Sequence, residues 1–259
     1  MSSGRYSYQE CGLTAGTYTT KAKATDSGGE STIVTHTYDY PRPAVTTDVV
    51  LFTIDAERLR VLLVRRGGDP FRGCWAFPGG FIELDEDLID GARRELAEET
   101  GVTGVYLEQL YTFGTPNRDP RGRVISVVYY ALAPEGRVSV RAGSDAAAVQ
   151  WFPVNELPPL AFDHDEILAM AKVRLATKLG YSTIALQLMP EKFTLSELQS
   201  VYEVVLGRTI DKRNFRKRML AVGSIEPCQA WLRRGNHRPA RLYRATSPEV
   251  VDWTARAGL

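Results

Sequence analysis

Three glutamates, Glu95, Glu98 and Glu99, stand at relative positions 0, 3 and 4 within the stretch Gly80 to Val102, GFIELDEDLIDGARRELAEETGV. A helix carries residues three and four apart on one face, so this spacing gathers three carboxylates together. Like charges so placed repel by about 0.2–0.5 kcal/mol per pair in water, which a helix would not accept for its own stability. A divalent cation removes the repulsion, and carboxylate oxygens suit hard ions such as Mg²⁺ or Mn²⁺. Glu95 and Glu99 are the first-choice ligands, with Glu98 in support. For an E-x-x-E-E run taken alone, a solvated acidic face is the competing reading. Arg94 points elsewhere on the helix and is expected to pair with Glu86, fixing the loop before it. Pro78-Gly79-Gly80 lets backbone approach an ion or ligand closely. Trp75, Phe77 and Tyr111 are the aromatic side chains available to stack on a base or ribose, although an aromatic beside a sheet commonly belongs to the core.

A second constellation has the opposite sign. The segment DKRNFRKRML places Lys212, Arg213, Asn214, Arg216, Lys217 and Arg218 within one short helix, with Phe215, Met219 and Leu220 left for its apolar stripe. A helix anchored on one side and cationic on the others can reach phosphates and base edges. The run that follows, EPCQAWLRR-GNH-RPARLYRA, reads as a hairpin carrying Arg233, Arg234, His237, Arg238, Arg241 and Arg244, a wing able to touch a nucleic-acid backbone. A basic surface helix without a partner is the alternative. Residues 190–259 hold 13 Lys and Arg against 7 Asp and Glu, a balance of +6, leaving −5 for the remainder of a chain whose total is +1. Two modules with different partners follow from that division, and the rear one is expected to meet a polyanion.

The elements that must position these groups are legible from periodicity. At 259 residues, 44% hydrophobic and 24% charged, the chain has the composition of a folded protein with one large or two ordinary domains. Residues 1–40 are polar; GTYTTKAKAT and STIVTHTYDY alternate as strands of an exposed hairpin around DSGG, and a loosely attached or disordered extension is the favoured reading. TTDVVLFTID and RLRVLLVRR form a hairpin. The acidic helix follows and stops at Gly101, and VYLEQLYTFG, RVISVVYYALA and AAAVQWFPVNEL are further strands. Strands, helix, strands predict an α/β domain with a mixed sheet over residues 41–157. LPPL marks a boundary. After it, FDHDEILAMAKVRLATKLG has Ile167, Leu168, Met170, Ala171, Val173 and Leu175 at helical spacing, and TLSELQSVYEVVLG opens on a capping box, Thr194 with Glu197. Three helices and a hairpin over 158–259 outline an α+β winged helix. Cys11, Cys74 and Cys228 lack metal-ligand spacing and are expected to be reduced thiols. No run suits a membrane helix and no secretory signal is present, so the expected location is the cytoplasm.

Gly80, Glu86, Arg94-Glu95-Leu96, Glu98-Glu99, Gly101 and Val102 fit without departure the pattern G-x5-E-x7-R-E-U-x-E-E-x-G-U, where U is a bulky aliphatic residue. On these residues, 41–157 resembles the Nudix hydrolase family. The resemblance implies an α/β/α sandwich, metal held by Glu95, Glu98 and Glu99 with the Gly79 carbonyl, and a diphosphate bridging a nucleoside to another group. Glu98, Glu99, Arg94 and Glu86 then form the candidate catalytic set, with Glu98, Glu99 or a loop residue outside the box as base. Trp75, Phe77 and Gly80 are the candidate ligand contacts. The longer run LAFDHDEIL, LGYSTIALQLMPEKFTLSELQSVYEVVLGRTIDKRNFRKRML and HRPARLYR resembles the NrtR-type transcriptional regulators of NAD metabolism, over roughly residues 38–246. That resemblance implies a Nudix domain sensing ADP-ribose or a related nucleotide, a winged helix holding a double-stranded DNA operator, and a homodimer on palindromic sites. The expected function is a repressor of NAD-related metabolism. The complete box also leaves hydrolysis of ADP-ribose to AMP and ribose 5-phosphate open, and the alternative is a metal-dependent pyrophosphatase whose C-terminal domain serves dimerisation.

Overall fold

The structure, a computed structural model, describes residues 6–10, 17–25, 28–39, 42–136, 146–233 and 239–253. The chain divides into Met1–Ala44 and Val45–Leu259. In the first unit β1 (Tyr6–Glu10), β2 (Thr17–Thr25) and β3 (Ser31–Asp39) form an antiparallel sheet in the order β1-β2-β3, with Ala24 opposite Thr32. The hairpin expected around DSGG is present, and β1 extends it to three strands.

In the second unit, strands buried on both faces build the central sheet. β4 (Ala44–Asp55), β5 (Arg58–Arg66), β8 (Tyr106–Phe113), β9 (Val124–Leu132) and β10 (Ala146–Pro153) lie in the order β10-β5-β4-β9-β8. The short strands β6 (Trp75–Ala76) and β7 (Gly79–Phe81) pair with β5 and β4. Successive strand residues face opposite sides, and the sequence separates accordingly. Val49 and Leu51 of β4, Leu62 of β5 and Val127, Tyr129 and Ala131 of β9 pack with α1 (Leu88–Thr100) through Ala92 and Leu96. Val50, Phe52, Val61, Leu63, Val128, Tyr130 and Leu132 face the other way, onto α2 (His164–Leu179) through Ile167, Leu168, Ala171, Leu175 and Leu179. Met170 and Val173, expected in that apolar stripe, are exposed. Val173 sits about 200° round the helix from Ala171 at 100° per residue, and its apolar character therefore buries nothing.

The winged helix continues from α2. A 3₁₀ turn (Ile184–Leu188) and β11 (Phe193–Thr194) lead into α3 (Leu195–Leu206) and α4 (Lys212–Val222), followed by β12 (Ile225–Leu232) and β13 (Ala240–Ala245). The three strands form a sheet in the order β11-β13-β12. The expected capping box is complete: the Glu197 N–H donates to Thr194 Oγ1 at 3.2 Å and the Thr194 N–H to Glu197 Oε2 at 2.8 Å. Phe215 and Met219 are buried, with Phe215 set edge-on against Tyr202 at 5.2 Å. Leu220 is exposed, contrary to expectation; five residues beyond Phe215 is about 140° round the helix. A single apolar cluster runs from Val50 and Phe52 of the sheet through α2 to Phe215 and Met219 of α4. Among the described residues no helix is long and apolar enough to cross a membrane.

Candidate functional site

Asp87 caps α1, its carboxylate accepting the Ile89 N–H, and the helix then presents its acidic face toward β7. Arg94, expected to point elsewhere on the helix, is instead the hub of that face, because its long side chain folds back over Glu95 and Glu98. Its Nε and Nη2 grip both oxygens of Glu86, at 3.0 and 2.6 Å, as the sequence leads one to expect. Its Nη1 also donates to Glu95 at 2.8 Å and Glu98 at 3.2 Å, and its Nη2 to the Phe81 carbonyl at 3.2 Å. One guanidinium thus ties three carboxylates to the turn before the helix. The Arg94 hydrogen bonds, helped by the Glu83 N–H, hold the Glu86 carboxyl down at about 2, and its carboxylate partners raise Arg94 in turn. Burial raises Glu95 against the opposing pull of Arg94.

Glu99 is different. It is held by the Gly79 N–H at 3.0 Å and not by Arg94. Burial pushes its carboxyl up to about 7, with the nearby charges of Glu95 and Asp48 adding to the effect. The glycine pair makes this closeness feasible. A Cβ on Gly79 would strike the Thr47 carbonyl, and one on Gly80 would strike the Glu95 carboxylate. Among the described residues no three His, Cys, Asp or Glu groups converge as a ready-made cation site, since Arg94 holds Glu95 and Glu98. The donor set nevertheless fits a hard cation: Glu95 and Glu99 lie one turn apart, their oxygens beside a backbone stripped of Cβ atoms, and Glu99 is buried where its charge is costly.

Beside these residues lies a cavity of about 140 Å³, floored by Gly79, Gly80 and Phe81. Its cationic wall comes from residues with no motif to announce them: Arg66 at the end of β5, and Arg118 and Arg121 in the loop between β8 and β9. Arg121 lies over the Phe81 ring at 5.1 Å, and Arg66 over Phe162 at 4.8 Å. Burial lowers the Arg66 pKa. Arg118 grips Asp163 side-on, Nε to Oδ2 at 2.8 Å and Nη2 to Oδ1 at 2.6 Å, with only 4% of its side chain exposed. Asp48 and His164 close the cavity. Ser126 Oγ donates to Asp48 Oδ2, and His164 Nε2 stands 3.7 Å from Asp48 Oδ1. The Phe77 N–H donates to His164 Nδ1 at 3.0 Å, so that nitrogen is unprotonated; burial lowers the imidazole pKa, leaving a neutral ring with its proton on Nε2. Asp119 lines the cavity too and pairs with Arg121 at 2.6 Å, so arginines and carboxylates share the wall, a mixed-charge lining that suits a phosphorylated ligand carried with a cation.

The expected stacking surfaces are corrected in part. Gly80 lines the cavity, but Phe77 is 2% exposed and stacks on His164 at 4.8 Å, a core side chain. Trp75 packs edge-on against Phe152 at 4.7 Å, outside the cavity lining. Tyr111 is exposed on β8 against Phe113. The aromatic rings that do face the cavity belong to Phe81 and Phe162.

On α4, Lys212, Arg213, Asn214, Arg216 and Lys217 are exposed, and Asp211 caps the helix by accepting the Asn214 N–H at 2.8 Å. Arg218 turns inward: Nη2 donates to the Gly180 carbonyl at 3.3 Å and the guanidinium lies over Trp253 at 4.7 Å. It fastens the helix rather than presenting a free cation. On the hairpin, Arg241 is exposed, whereas Arg244 pairs with Glu226 at 2.6 Å. Arg234, His237 and Arg238 lie outside the described residues.

With that geometry in view, comparison with known proteins is direct. The NUDIX domain family matches residues 42–171, and the NrtR DNA-binding winged helix domain matches residues 185–245. The ADPR responsive transcriptional repressor NtrR of Acinetobacter baylyi is 39% identical over 210 residues, 80% of this chain and 83% of the relative. The ADP-ribose pyrophosphatase of Methanocaldococcus jannaschii is 40% identical over 129 residues, 50% of this chain and 73% of that protein. The crystal structure of Shewanella oneidensis NrtR complexed with a 27mer DNA is similar with a TM-score of 0.71 at 39% identity, covering 78% of this chain and 93% of that one.

Proposed function

This chain belongs to the NrtR family of Nudix-domain transcriptional regulators, and from that premise we propose that it is a DNA-binding repressor whose Nudix domain binds ADP-ribose. The observation that carries the proposal is the joining, through one apolar cluster, of an arginine-walled cavity beside the acidic helix to a helix with five exposed polar or cationic residues. Lys212, Arg213, Arg216 and Lys217 supply phosphate contacts, and Asn214 reaches base edges. Arg234, His237 and Arg238, outside the described residues, are proposed from the sequence alone as further DNA contacts. Two copies on a palindrome give the half-site geometry that winged helices use, so the acting species is a homodimer.

In the Nudix domain, Gly79 and Gly80 let the diphosphate approach the backbone, while Arg66 and Arg121 neutralise its charge. Glu95 and Glu99, supported by Glu98 and Gly79, would hold Mg²⁺ or Mn²⁺, which supplies charge neutralisation and polarises the phosphoryl group. The test is titration of the protein against operator DNA selected from genomic fragments, with and without ADP-ribose, following AMP release in the same tube. ADP-ribose is expected to weaken the DNA complex. Failure to retain any fragment at physiological salt would refute the repressor reading.

A second reading is supported by one observation: Glu86, Arg94, Glu95, Glu98 and Glu99 are all present and Arg94 and Glu86 are paired. That set suits pyrophosphatase turnover, Arg94 fixing the loop and Glu99 or Glu98 accepting a proton from water. AMP release with Mg²⁺ that drops by orders of magnitude in Glu99→Gln would establish it; no release on any nucleoside diphosphate would leave the sensor alone.

A further inference from the structure

Helix α2 joins the two sites end to end. Its N-terminus is in the cavity wall: His164 lines the cavity, and Asp163 immediately before it is gripped by Arg118, which lines the cavity too. Its C-terminus meets the DNA-facing helix, the Gly180 carbonyl accepting from Arg218 of α4. Sixteen residues separate these ends, a rod of about 24 Å at 1.5 Å per residue. The rod is stiff where it matters, because Ile167, Ala171, Leu175 and Leu179 are fully buried along one side. Polar ties to β8 lie in its second half, where Arg174 Nη2 donates to the Leu110 carbonyl at 3.0 Å and Lys178 pairs with Glu108. Near the other end the side-chain ties are the Arg118–Asp163 pair to the β8–β9 loop and His164, whose Nδ1 accepts the Phe77 N–H at 3.0 Å. The Asp163 carboxylate makes no cap hydrogen bond to α2 itself, so its partner is what decides its position.

We propose that the Arg118–Asp163 pair is the coupling contact between ligand and DNA: the anionic oxygens of a bound nucleoside diphosphate compete with the Asp163 carboxylate for the Arg118 guanidinium, and the release of Asp163 lets α2 swing about its β8 ties and shift Gly180 under α4. The proposal rests on the ADP-ribose reading of the cavity given above and adds the route by which that site regulates DNA binding. A carboxylate and a diphosphate are interchangeable partners for the planar, two-pronged guanidinium face, which gives the competition its chemistry. A ligand can shift the DNA equilibrium only by binding one arrangement of the protein more tightly than the other. Here the paired arrangement holds DNA and the unpaired one holds the ligand.

Asp163→Asn tests this with a sign that mere damage cannot imitate. The amide removes the charge that competes for Arg118, so the unpaired arrangement is favoured before any ligand arrives. DNA affinity is expected to fall several-fold, ADP-ribose affinity to rise several-fold, and the factor by which ADP-ribose weakens DNA binding to drop from the usual range of about 5- to 150-fold toward one. The full-length protein is titrated with fluorescent operator DNA, selected as above, and with ADP-ribose by calorimetry. A variant that was simply destabilised would lose affinity for both. Retention of the full wild-type factor in Asp163→Asn would overturn the proposal while leaving the site itself intact. Wild-type protein that binds no ADP-ribose would instead overturn the reading of the site, and the coupling with it. Amide hydrogen exchange of the wild-type protein gives a second, mutation-free test. ADP-ribose is expected to alter protection at the start of α2 and in α4; changes confined to the cavity would sink the coupling.

Discussion

Replacing Glu99 by glutamine is expected to stabilise the cation-free protein, and to do so only above mildly acidic pH. In the folded chain burial raises the Glu99 carboxyl from 4.5 to about 7, while unfolding returns it to water. A group whose folded pKa is raised contributes stability that is complete below its unfolded value and is lost as pH climbs through the folded one. The wild-type protein therefore loses stability between about pH 4.5 and 7, an amount of about 3 kcal/mol by linkage and about 2 after allowance for the part of the group that water still reaches. Glutamine carries no charge to desolvate and keeps an oxygen to accept the Gly79 N–H. In EDTA at pH 8, Glu99→Gln should melt above the wild type by about 4–8 °C, at roughly 2–4 °C per kcal/mol for a chain of this size. At pH 4.5 the two should melt together. Excess Mg²⁺ or Mn²⁺ should close the gap at pH 8 from the wild-type side, since binding to the folded state alone stabilises it. The assay is calorimetric melting across pH with and without cation. A variant less stable than wild type at pH 8, or a difference that ignores pH, would refute the claim that this carboxylate is buried against its own ionisation.

Arg213→Ala and Lys217→Ala, both on the exposed face of α4, should weaken operator binding and each flatten the log–log salt dependence by about one unit, measured by anisotropy from low to physiological salt. Arg218→Ala should lower the melting temperature through loss of its Gly180 hydrogen bond and Trp253 contact, worth about 1–2 kcal/mol together, a cost that Arg213→Ala does not carry. Phe77→Ala should destabilise the fold by about 3–5 kcal/mol as a buried ring, whereas Phe81→Ala should leave the melting temperature nearly unchanged and weaken ADP-ribose binding in calorimetry.

What the sequence made legible, and what it did not, follows from where each signal is stored. A β-branched apolar run is a local record of a strand buried on both faces, so β4 and β9 could be foreseen as strands of a mixed sheet, whereas the packing of α2 on that sheet could not, since the sequence assigned α2 to the C-terminal domain. The 0, 3, 4 spacing of Glu95, Glu98 and Glu99 is likewise a property of one helix. The cavity is not: Asp48, Arg66 and the Arg118–Arg121 loop come from three places in the chain, and the strand order brings them together. Trp75 and Phe77 misled for the same reason. Their closeness in sequence to the glycine turn suggested a ligand surface, but Phe77 faces His164, an element 87 residues away that no local pattern announces. α4 sits between the two cases. Periodicity marked Phe215 and Met219 as its anchor, yet the inward turn of Arg218 depends on the Gly180 carbonyl at the end of α2. The contact that local reading missed is the one that joins α4 to the helix whose other end lines the cavity. Arg218, counted in the sequence as one more phosphate contact, is in the fold a fastening between α4 and the end of α2.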